Sequence, residues 1–76
     1  MKLVNCECVS VGREFLSKKN NDRPFRFSIW FVNDPDYSDG VYFRAFTWTD
    51  TNPIPVKGDK GLCAQVNGVY QLVTDD

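Results

Sequence analysis

The stretch Phe25-Arg26-Phe27-Ser28-Ile29-Trp30-Phe31-Val32 decides the fold. Aromatic and β-branched side chains dominate it, and these fit a pleated, half-buried surface. The following segment, Asn33-Asp34-Pro35-Asp36-Tyr37-Ser38-Asp39-Gly40, is dense in residues that tolerate turn geometry, and Val41 to Thr49 returns to β-type composition. A β-hairpin is the simplest connection between the two.

The flanking sequence is also β-like. Val4, Cys6 and Cys8 alternate with Asn5 and Glu7, the period of a half-buried strand, although the parity blurs beyond Ser10. Ser17 to Pro24 combines turn formers with a proline and reads as an exposed connection. No window carries a sustained helical apolar stripe, and the best candidate, Val11 to Lys19, supports at most one helical turn. Asn52-Pro53-Ile54-Pro55 fits neither a helix nor a central strand, because its two prolines remove two backbone donors. Lys57 to Gly61 is a further turn. Leu62–Val66 and Val69–Val73 then read as short strands about Asn67-Gly68, the preferred dipeptide of a two-residue type I′ turn. The expectation is an all-β chain, a small five-stranded antiparallel barrel forming one domain over residues 1–76.

A chain of 76 residues has room for one core and no second lobe. A domain this short buries only about 60% of the surface its unfolded form exposes, so large aromatic side chains or self-association must supply stability. Its aromatic content of 14% meets that need. The net charge of −1 gives no overall attraction to nucleic acid or anionic membrane, so any polyanion site must be local. The charges are segregated: residues 13–26 contain Arg13, Lys18, Lys19, Arg23 and Arg26 against Glu14 and Asp22, whereas residues 34–50 contain Asp34, Asp36, Asp39 and Asp50 against Arg44.

Cys6, Cys8 and Cys63 make an odd number, which argues against a secreted disulfide framework and for a reducing compartment. The N-terminus alternates instead of forming a signal-type apolar run, and no stretch is long enough to span a bilayer, so a cytoplasmic location without membrane contact is expected. Zinc usually takes four ligands, and with no histidine the cysteines are better read as small core residues. A general base would have to be a carboxylate or thiolate with a shifted pKa, and nothing marks one out. Asp34, Asp36 and Asp39 lack the glycine and distal glutamate of a calcium loop and are explained as turn formers. Neither an enzyme, a metal nor a cofactor is expected.

Pairing the hairpin so that Trp30 lies opposite Arg44, Ser28 opposite Phe46 and Arg26 opposite Trp48 puts Phe25, Phe27, Ile29, Phe31, Val41, Phe43 and Ala45 on one uncharged face, expected to be the core. The other face carries Arg26, Trp30, Tyr42, Arg44, Phe46 and Trp48. Burying two unpartnered arginines would cost several kcal/mol, so this face should meet solvent or a ligand. Arginine stacking on tryptophan stabilises an exposed sheet by about 0.5–1 kcal/mol. The same side chains also form a platform for unstacked bases, at about 1–3 kcal/mol per stacking contact.

The order of a long first strand, basic connection, aromatic hairpin, proline-broken crossover and final short hairpin resembles an OB-fold. Ser17 to Phe27, with its small residue, lysines, polar turn and Pro-aromatic pair, is similar to the segment between the first two strands of single-stranded-DNA-binding proteins of filamentous phages. Val56-Lys57-Gly58-Asp59 resembles the Lys-Gly-Asp turn before a late strand in bacterial single-stranded-DNA-binding proteins. The resemblance spans nearly the whole chain. It implies that Lys18, Lys19 and Arg23 contact phosphates of single-stranded DNA or RNA, that the hairpin face contacts bases, and that a homodimer coats replicating phage or plasmid strands. The slight net acidity departs from that pattern, as does the short ending Thr74-Asp75-Asp76. The competing expectation is a small phage-type protein that inhibits a host or defence factor through the same aromatic and arginine face or through the acidic turn.

Overall fold

A computed structural model describes residues 2–33 and 40–73. The chain is all-β, with strands β1 (Val4–Val11), β2 (Phe15–Ser17), β3 (Arg23–Val32), β4 (Val41–Trp48), β5 (Lys60–Val66) and β6 (Val69–Val73). A 3-10 turn at Lys18–Asn20 links β2 to β3. None of the described residues forms a helix long and apolar enough to cross a membrane.

Every ladder is antiparallel. The sheet runs β4-β3-β1-β5-β6, and β2 continues along the edge of β3 that β1 occupies. Val11 lies opposite Ser28 and Phe15 opposite Phe25, so β1 and β2 act as one strand bent between them. Gly12 sits in the bend, its N–H donating to the Phe27 carbonyl at 2.8 Å. A side chain at Gly12 would begin 3.3 Å from that same oxygen. The register of β1 against β3 shifts between Cys8 and Ser10, a bulge that accounts for the lost alternation there. The residues read as a possible helical turn therefore form a bend, a short strand and a 3-10 turn. At the other end of the chain, Asn67 and Gly68 have φ of 52° and 81° and connect Val66 to its partner Val69, as a type I′ turn requires.

The expected barrel is not closed. β4 and β6 form the two ends of the sheet and no backbone ladder joins them, although the Phe43 and Tyr70 rings stack across the seam at 6.2 Å. The seam widens into a groove of about 720 Å³ between β4 and β6, lined by Thr47, Pro53, Ile54, Pro55 and Leu72 among others. The turn after the prolines is fixed by the Val56 N–H donating to Asp59 Oδ2 at 2.9 Å and the Asp59 N–H donating to the Val56 carbonyl at 3.0 Å. Backbone bonds of 2.8 Å from Gly58 to Cys8 and from Cys8 to Asp59 tie this turn to β1.

The hairpin pairs one residue out of step with the expected register. Trp30 lies opposite Phe43, Ser28 opposite Ala45 and Phe27 opposite Phe46. Because side chains alternate along a strand, a one-residue slip moves one strand's whole set to the other face. The inner face is accordingly Ser28, Trp30, Val32, Phe43 and Ala45, all buried. Phe25, Phe27, Ile29 and Phe31, expected in the core, share the outer face with Tyr42, Arg44, Phe46 and Trp48.

Two features let the inner face of β3 take its polar residues. The buried Trp30 Nε1–H donates to Ser28 Oγ at 2.8 Å, which gives the indole its acceptor. Arg26 reaches the end of the sheet, where Nη1 donates to the Gly12 carbonyl at 2.9 Å. Cys6, Cys8 and Cys63 are buried in the same core, as expected. Burial pushes the Cys6 thiol up from 9.0 to about 12, with nearby Cys63 adding to the rise, so it packs as a neutral group.

Candidate functional site

The exposed side of β2, β3 and β4 carries the densest cluster of aromatic rings. Directly opposed pairs build it: Phe15 with Phe25, Phe25 with Trp48, Phe27 with Phe46, and Phe31 with Tyr42. Cross-strand aromatic neighbours of this kind are the units that stabilise a sheet surface. Phe15, Phe25 and Phe46 stack in a row across the three strands, with centroids 5.7 and 4.9 Å apart and planes inclined by 23° and 25°. Trp48 and Phe27 stand edge-on to Phe46 at 4.7 and 5.8 Å. Phe31 and Tyr42 form a separate edge-on pair at 5.2 Å. This surface remains in contact with water: Phe15 is 37%, Phe46 47% and Tyr42 59% exposed.

Three arginines lie over these rings. The Arg13 guanidinium is 4.7 Å from the Phe15 centroid, Arg23 is 4.2 Å from Trp48, and Arg44 is 4.4 Å from Phe27. The ring quadrupole attracts each cation by about 0.5–1 kcal/mol when exposed. Arg23 is held further, because its Nε donates to both Asp50 carboxylate oxygens at 3.0 Å and its Nη2 donates to Thr51 Oγ1 at 3.1 Å. Beside this end of the cluster, Lys18 and Lys19 are exposed on the 3-10 turn. Asn21 and Asp22 complete the turn with φ of 57° and 59°, a left-handed pair that returns the chain so that Ser17 meets Arg23.

The structure thus brings Arg23, Tyr42, Arg44, Phe46 and Trp48 onto one surface with Lys18 and Lys19 at its edge. It does not bring Trp30 or Arg26 there. Trp30 is 4% exposed on the inner face, and Arg26 shares that parity and folds back on Gly12. Arg13, Phe15, Phe25 and Phe27 take part instead, and sequence reasoning missed them. A usable signal existed in β3: the residues Phe25, Phe27 and Phe31 are as suited to a ring platform as to a core, while Ser28 supplies the buried acceptor that Trp30 needs.

The described residues contain no grouping of three metal-ligating side chains. The acidic turn residues Asp34, Asp36 and Asp39 and the terminal Thr74-Asp75-Asp76 lie outside the described residues. Comparison of the chain with protein-family models, with curated proteins and with solved structures gave no match.

Proposed function

We propose that the chain binds single-stranded nucleic acid on the outer face of β2, β3 and β4. The observation that carries this reading is a solvent-facing row of stacked rings with guanidinium groups laid over it and two lysines at its edge. Flat π-surfaces recognise any unpaired base, and adjacent cations track the phosphates, which together make a sequence-tolerant single-strand site. The local positive charge answers the objection that the chain as a whole is slightly acidic.

The sheet order supports an OB-type reading of the fold. Taking β1 with β2 as the first strand, the sequence of neighbours β4-β3-β1-β5-β6 is that of a five-stranded Greek-key barrel left open between its third and fifth strands. In OB-folds the exposed face of the second and third strands is the oligonucleotide surface, and here that face is the aromatic one. The same composition also suits a protein interface, and a partner protein is the alternative occupant.

Fluorescence anisotropy of a fluorescein-labelled oligo(dT) tests the reading. Anisotropy is expected to rise with added protein at low salt, and the affinity to fall as salt increases. No rise at micromolar protein in low salt overturns it.

A further inference from the structure

The three arginines over the aromatic rings are not equivalent. Arg23 has two of its three guanidinium nitrogens committed in the plane, Nε to the Asp50 carboxylate and Nη2 to Thr51 Oγ1. Its charge is balanced at 3.0 Å by Asp50. Among the described residues, no side-chain hydrogen bond or ion pair fixes Arg13 or Arg44, so their donors can turn to a new partner. A guanidinium can serve a polynucleotide through its edge, as a two-pronged donor to phosphate, or through its flat face, as a surface on which a base stacks. The edge of Arg23 is largely spent, whereas the side chain, laid over Trp48, keeps 33% of its surface exposed.

We infer that Arg23 is a stacking plate: clamped between Trp48 below and Asp50 and Thr51 at its rim, it presents its free plane to an unpaired base, while Arg13 and Arg44 serve phosphates. This inference rests on the nucleic-acid reading above and adds a division of labour within the same surface. Holding a flexible arginine in place before binding removes part of the ordering cost that the ligand would otherwise meet. A lysine in its place would keep the charge and lose the plane, so the exchange is not conservative here.

The salt dependence of binding separates the two roles, because each phosphate contact on a single strand adds about 0.7 to the slope of log K against log salt concentration, whereas stacking adds nothing. Anisotropy titrations with labelled oligo(dT) at several salt concentrations would compare the intact protein with three variants. Arg23→Lys is expected to weaken binding about tenfold, the size of one base-stacking contact, with the slope unchanged. Arg44→Gln is expected to lower the slope by about 0.7. Asp50→Asn, which leaves the surface packing in place and frees the Arg23 charge, is expected to steepen the slope by a similar amount. Circular dichroism melting would establish that each variant is folded. Wild-type affinity in Arg23→Lys overturns the assignment, as does a slope in Asp50→Asn equal to that of the intact protein. Absence of binding by the intact protein is a different result, and it removes the nucleic-acid reading together with the inference.

Discussion

On the inner face of β3 and β4, Trp30 and Phe43 lie directly opposite each other and are nearly dry, at 4% and 9% exposure. On the outer face, Phe27 and Phe46 are also directly opposed, yet water reaches them and Arg44 lies over Phe27. The same hairpin therefore presents aromatic pairs to two environments. What distinguishes the faces is how the polar groups are completed. Inside, Ser28 supplies the hydroxyl that satisfies the Trp30 indole. Outside, guanidinium groups cover ring faces while keeping contact with solvent, as long cationic side chains do on apolar surfaces.

The difference can be attacked from either side. Phe43→Ala should have the largest effect, a loss of about 3–5 kcal/mol in urea unfolding, because it opens a cavity and removes the ring that meets Tyr70 across the seam. Ser28→Ala should cost about 1–3 kcal/mol by leaving the buried indole N–H without an acceptor. Raising the pH should lower stability through the buried thiol of the inner side. The Cys6 pKa is raised in the folded chain from 9.0 to about 12, so the unfolded chain gives up its proton first and stability declines as pH climbs from about 9 toward 12. Unfolding titrations across that range, with Cys6→Ala as the control, would show the decline reduced in the variant. Phe46→Ala should be the mildest, about 1 kcal/mol or less from lost ring contacts at a half-exposed site. It should nonetheless weaken oligo(dT) binding several-fold. Equal destabilisation by Phe43→Ala and Phe46→Ala would erase the distinction between the faces.

The alternation of β4 was legible because only one of its faces carries a charge: Tyr42, Arg44, Phe46 and Trp48 are set against Val41, Phe43 and Ala45. β3 was not legible in the same way. It carries large apolar side chains on both sides, and the charge of Arg26 pulled the even-numbered face outward in a reading based on sequence. Its actual resting place depends on the carbonyl of Gly12, which reaches it only because β1 bends there. The register is set by tertiary contacts, and composition carries no record of a one-residue slip. The Asn67-Gly68 turn was readable to the residue because its chemistry is local, whereas β5 begins at Lys60, two residues inside the segment expected to be a turn. Phe15 was hidden by the opposite circumstance: its strand is only three residues long and is defined by pairing with β3.

The two tryptophans fall on opposite sides of the hairpin, which allows the central claim to be measured directly. Trp30→Phe leaves Trp48 as the only tryptophan, and Trp48→Phe leaves Trp30. On addition of oligo(dT) at low salt, the protein carrying Trp48 should show quenched fluorescence that recovers as salt is raised, while emission from Trp30 stays constant. Quenching of Trp30 with Trp48 silent would contradict the assignment of the outer face as the binding surface.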